Sequence, residues 1–133
     1  MSTSLYTPLD ASRREIRLLR VSPSRSKTDM VRCALFTASL DDKPKYWALS
    51  YVWGNAAITT PIYVDDRLFS ATVNLEAALR HIRGTGVREL IIWVDAVCIN
   101  QADLDERSSQ VALMGAIYSG ADLVEAWVGE DED

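Results

Sequence analysis

Tyr46-Trp47-Ala48-Leu49-Ser50-Tyr51-Val52-Trp53 runs without a charge into Gly54-Asn55, and it is aromatic and rich in β-formers throughout. Both alternating sets of positions are nearly apolar, as in a strand covered on two faces inside an α/β sheet. Glu89 to Val94 (ELIIWV) is a second run of this kind, expected to be a central parallel strand, and Asp122 to Val128 (DLVEAWV) is a third. Between the first two, Asn74 is expected to cap a helix with the apolar stripe Leu75, Ala78, Leu79 and Ile82, stopped by Gly84. Between the last two, Asp95 to Ala102 reads as a loop. It leads to a helix from about Asp103 to Ser119 with the stripe Leu104, Val111, Met114 and Tyr118, and Gly120 as its stop. Strand, helix, strand, helix, strand over residues 46–128 predicts an α/β fold with right-handed crossovers and a mostly parallel sheet flanked by helices.

Outward from that core, Glu15 to Val21 and Val31 to Leu40 are apolar runs separated by a turn-rich spacer, which predicts an N-terminal β-hairpin. Ile62 to Val64 and Leu68 to Ala71 flank Asp65-Asp66 and predict a hairpin insertion, although Asp-Asp is poorer turn chemistry than Asp-Gly. Residues 1–14 are polar, carry Pro8 and read as a flexible leader. The domain is expected over 15–129, and residues 130–133 form an acidic tail.

The chain has 133 residues, of which 48% are hydrophobic and 25% charged, values for one domain with its own core. Fourteen Lys and Arg against nineteen Asp and Glu leave a net charge of −5, the wrong sign for a nucleic-acid footprint. No apolar run approaches a membrane span, and the N-terminus lacks the pattern of a secretory signal. Two cysteines and one histidine exclude a disulfide framework, a zinc site and any mechanism built on clustered imidazoles. The chain reads as intracellular and reduced.

In α/β sheets ligands sit at the carboxyl ends of the strands, which nominates Ser50 to Asn55 and Asp95 to Glu106. The loop Asp95-Ala96-Val97-Cys98-Ile99-Asn100-Gln101-Ala102-Asp103 is polar and leads into Glu106, Arg107 and Gln110. Glu106 and Gln110 are i,i+4 neighbours near a helix N-terminus, which suits an anionic ligand. Asp103 with Glu106 also has the spacing of a capping box, and both readings of Glu106 stay open. Asp95, at a strand end, could bind a ribose hydroxyl or cap the next turn. Cys98 reads as a small buried hydrophobe, His81 as a helix residue, and Trp47, Trp93 and Trp127 as packing. Trp53, beside Gly54, is placed to stack on a base or nicotinamide ring. Ser50, facing away from Tyr51, needs a partner for its hydroxyl. No Gly-rich phosphate loop is present: Gly84-Thr85-Gly86 is a helix stop.

Residues 46–54 resemble the opening Y-x-A-L-S-Y-x-W-G block of fungal heterokaryon-incompatibility (HET) domains. Trp93 to Gln101 with Asp103, Glu106-Arg107, Gln110-Val111, Met114 and Ile117-Tyr118 resembles the second block. Ala121 to Gly129 resembles the third, with Val128 where Leu is usual, and Thr72 to Leu79 fits the linking helix. The resemblance covers about residues 15–129. It implies a cytoplasmic domain of fungal allorecognition that triggers programmed cell death, and a TIR-like (flavodoxin-like) fold, since HET domains are considered similar to Toll/interleukin-receptor (TIR) domains of innate immunity.

Several TIR domains cleave NAD, so the resemblance implies an NADase in which Glu106 is the catalytic carboxylate beneath the ribose. Trp53 would supply the stacking face. Ser50, Tyr51, Gly54, Asp95, Asn100, Gln101, Arg107 and Gln110 would complete the binding set. The Trp-Cys-x-x-Glu-Leu pattern of TIR enzymes is absent, so Glu106 is assigned by position alone. No cofactor or metal is required, and NAD(P)+ would be the substrate. The alternative is a non-enzymatic death-signalling module that acts as a homo-oligomer or recruits an incompatibility partner such as a NOD-like receptor, with no nucleic acid and no membrane involved.

Overall fold

The computed structural model describes residues 5–24, 26, 28–52, 54–55, 57–83 and 89–127. Seven strands form one sheet: β1 (Glu15–Val21), β2 (Arg32–Ser39), β3 (Trp47–Tyr51), β4 (Thr59–Val64), β5 (Arg67–Thr72), β6 (Leu90–Trp93) and β7 (Leu123–Trp127). Three α-helices interleave with them: α1 (Val73–Arg83), α2 (Asp95–Cys98) and α3 (Leu104–Gly120). The strand order is β5-β4-β2-β1-β6-β3-β7.

The expected parallel core is present as β6-β3-β7, with Ala48 beside Trp93 on one side and Val124 on the other. The sheet as a whole is mixed, which corrects the expectation of a mostly parallel one. Both hairpins belong to the main sheet. β1 pairs antiparallel with β2 along its whole length and antiparallel with β6 through Leu19↔Ile92. β2 then takes β4 in parallel, and β4 pairs antiparallel with β5. The reason lies in β1: Ile16, Arg17, Leu18, Leu19 and Val21 are all buried, so this strand is covered on both faces and belongs inside a sheet.

Asp65 and Asp66 form the two-residue turn of the second hairpin with φ of +53° and +62°, the left-handed pair that such turns require. Asp65 also accepts the Leu35 N–H at 2.9 Å, tying that turn to β2. The cap of α1 is Thr72, whose Oγ1 accepts the Leu75 N–H at 3.2 Å. Asn74 lies within the first turn and donates instead to the Val52 carbonyl at 2.9 Å. Leu75, Ala78 and Leu79 are buried as expected. Gly84, Gly129 and the acidic tail lie outside the described residues.

α1 and α3 cover opposite faces of the parallel core. His81 of α1 meets the Trp127 ring at 4.7 Å, and Tyr118 of α3 meets Trp93 edge-on at 5.6 Å. The α3 stripe differs from the expected one. Leu104 and Val111 are exposed, whereas Gln110 and Ile117 are buried. The helix is rotated so that two polar side chains, Glu106 and Gln110, point inward. Arg17 in β1 and the Glu15 carbonyl provide their partners, which makes that burial tolerable.

Candidate functional site

Arg17 is the centre of the polar network under α3. Its guanidinium is 2% exposed and grips the Glu106 carboxylate with two parallel bonds, Nη1 to Oε2 at 2.6 Å and Nη2 to Oε1 at 2.7 Å. Nη1 also donates to the Cys98 carbonyl at 3.2 Å, and Nη2 to the Thr7 carbonyl at 2.7 Å. The Tyr6 ring stacks 4.7 Å from the guanidinium, and its hydroxyl donates to the Val97 carbonyl at 2.8 Å. Burial first, and then the facing Cys98, push the Tyr6 phenol up to about 12, so it stays a donor. Residues 6 and 7 are thereby held against the 97–100 loop.

Glu106 has the start of a capping box and not its return. Asp103 Oδ1 accepts the Glu106 N–H at 3.1 Å. The Glu106 carboxylate turns away from Asp103, accepting the Asn100 N–H at 2.7 Å together with the Arg17 fork. Both of its oxygens are occupied, and its side chain is 9% exposed. Such bidentate, charge-assisted contacts are the strong ones.

The loop expected over Asp95 to Ala102 begins with the one-turn helix α2 and then folds on itself. Asn100 Oδ1 accepts the Ala102 N–H at 3.2 Å, and Gln101 Nε2 donates to the Asp95 carbonyl at 2.9 Å. Cys98 is fully buried against the Val94 N–H, and desolvation raises its thiol to about 12, so it is no nucleophile at neutral pH. Arg107 is exposed on α3. Gln110 is 2% exposed and donates to the Glu15 carbonyl at 3.0 Å.

A second group gathers at the carboxyl ends of β3 and β6. Ser50 is exposed and its hydroxyl faces Tyr118, while Tyr51, on the other face, lies beside Thr72. Asp95, just past β6, is half-buried, and its charge acts with desolvation to raise both Tyr51 and Tyr118. The buried indole N–H groups of Trp93 and Trp127 find no acceptor among the described residues. Gly54 has φ of +68°, and a Cβ there would lie 2.8 Å from Asn74 Nδ2, so this position requires glycine. Trp53 lies outside the described residues. The candidates thus split: Ser50, Tyr51, Gly54 and Asp95 surround the strand ends, whereas Glu106 and Gln110 belong to the Arg17 network. Arg17 itself escaped the sequence reading. The signal was present, since a charge at an inward position of the apolar run EIRLLRV demands a buried partner.

A mixed sheet whose parallel core is flanked by α1 and α3, with a polar network tying the 97–106 segment to the N-terminal strand, defines the class. The chain belongs to the family described as Heterokaryon incompatibility protein (HET), whose model matches residues 46–133. Among curated proteins it is similar to heterokaryon incompatibility protein 6, OR allele, of Neurospora crassa, with 42% identity over 130 residues. That likeness covers 89% of this chain and 19% of the relative, so the chain spans about a fifth of the relative's length. No solved structure matches it. Among the described residues no helix is long and apolar enough to cross a membrane.

Proposed function

We propose that this chain is a cytoplasmic module of fungal heterokaryon incompatibility that acts by binding, through self-association or recruitment of an incompatibility partner, to trigger cell death. Family membership and the Neurospora relative support the incompatibility role. The observation that carries the binding reading is the state of Glu106. A carboxylate that stabilises an oxocarbenium-like ribose must face the substrate, and this one spends both oxygens on Arg17 and the Asn100 N–H.

A second reading, TIR-like hydrolysis of the nicotinamide–ribose bond of NAD(P)+, has one observation in its favour. The order β6-β3-β7 sets the first parallel strand between the second and third, as in the flavodoxin-like order, and ligands bind at the resulting switch point. Ser50, Tyr51 and Asp95 lie there, and Asp95 would be the acid that meets a ribose hydroxyl. Water would add to the ribose as nicotinamide leaves neutral, and Glu106 would serve only after release from Arg17.

Product analysis separates the two. Concentrated protein is incubated with NAD+, and nicotinamide and ADP-ribose are quantified by chromatography while light scattering follows mass against concentration. The expected result is no nicotinamide above the buffer control and a mass that rises with concentration or on adding a partner. Nicotinamide release that disappears in Glu106→Gln or Asp95→Asn, with circular dichroism unchanged, overturns the binding reading.

A further inference from the structure

We propose that the groove between the N-terminal segment and α3 is a docking site for an arginine side chain of a partner protein. This goes beyond the function proposed above, since it holds whether the module only binds or also hydrolyses. The groove is an open cavity of about 450 Å³ between Pro8 to Ala11 and the first turns of α3. Its walls include Pro8, Leu9, Ala112 and Leu113, and Asp105 stands at the helix end.

Two independent features specify the ligand. Gln110 lines the groove, is 2% exposed and uses Nε2 on the Glu15 carbonyl. That bond fixes which way the amide faces and leaves Oε1, which finds no partner among the described residues. A buried acceptor in this state calls for an N–H donor. The second feature is charge. Asp105 is exposed and forms no ion pair among the described residues, and Asp103 and Glu106 line the same groove. Glu106 is neutralised by Arg17, which leaves Asp105 and the capping carboxylate of Asp103 without an ion pair among the described residues on the helix side. Anions are therefore repelled, and a donor with positive charge is favoured. An arginine matches the whole cavity: its alkyl stem packs on the Pro8 and Leu9 wall, and its planar fork of donors can serve an amide oxygen and a carboxylate together. A lysine ammonium is a more strongly hydrated point charge without that fork.

The test titrates the ¹⁵N-labelled 133-residue chain with the peptide acetyl-Gly-Arg-Gly-amide, with citrulline and lysine counterparts alongside. The expected result is saturable movement of the Ser109, Gln110 and Ala112 amide signals with the arginine peptide alone. Asp105→Asn should weaken binding about threefold, the effect of an exposed ion pair. Ala112→Arg, at an exposed helix position, fills the groove from within and should abolish the response while the rest of the spectrum stays in place. Absence of movement, an equal response to citrulline or lysine, or binding unchanged in both variants overturns the proposal.

Discussion

Arg17 and Glu106 are 89 residues apart in sequence and joined by two bonds in a nearly dry setting. Two charges taken out of water are costly unless their geometry is good and their remaining donors are satisfied. Here the Cys98 and Thr7 carbonyls take the remaining protons of Nη1 and Nη2, while the buried Nε finds no acceptor among the described residues. Removing one partner strands the other, so Glu106→Gln and Arg17→Met should each destabilise the protein by about 3 kcal/mol. Because they break the same bonds, the double variant should cost about 2 kcal/mol less than the two single costs combined. Urea unfolding of the four proteins checks this, and strict additivity would show that the pair is not coupled. The same cost bears on the product assay: loss of turnover in Glu106→Gln is informative only where the folded fraction is shown to be intact.

At the scale of elements, α3 is the one whose orientation reverses a simple reading of its apolar stripe. Leu104 and Val111 face solvent, while Ile117 is fully buried beside the Tyr46 hydroxyl, which donates to its carbonyl. Val111→Ser should therefore change stability by no more than about 0.5 kcal/mol, and Ile117→Ala should cost about 3 kcal/mol. Equal costs at the two positions, measured by urea unfolding, would place Val111 in the core and refute the rotation. The rotation also accounts for the exposed apolar residues on α3: the inner face is taken by groups that answer Arg17 and the Glu15 carbonyl.

Across the whole molecule, both thiols are buried and unpaired with each other, and desolvation raises each from about 9 to about 12. The folded state then holds protons that the unfolded chain gives up once the pH passes about 9. Their stabilising contribution is fully present below that pH and falls above it, by about 1.4 kcal/mol per pH unit for each thiol. Urea midpoints measured from pH 7 to pH 10.5 should decline above pH 9, and Cys33→Ala/Cys98→Ala should flatten that decline. A slope unchanged in the double variant would assign it to other groups. Native protein at pH 8 should also resist iodoacetamide until it unfolds.

Local pattern and propensity were enough for much of this protein. The three parallel strands, the two hairpins, the α1 stripe and the Asp103 cap could be read from alternation, periodicity and turn residues, because each depends on neighbours within a few positions. The HET blocks were legible for the same reason, as contiguous strings at strand ends. Three features depended on distant contacts and were decided only by the tertiary structure. β1 could insert between β2 and β6 only because β6 offered a free edge. α3 could turn Glu106 and Gln110 inward only because Arg17 and Glu15 wait across the core. The candidate site divided into a strand-end group and an Arg17 network because a carboxylate goes where its desolvation is best offset, and that partner lies in a segment no local pattern connects to it.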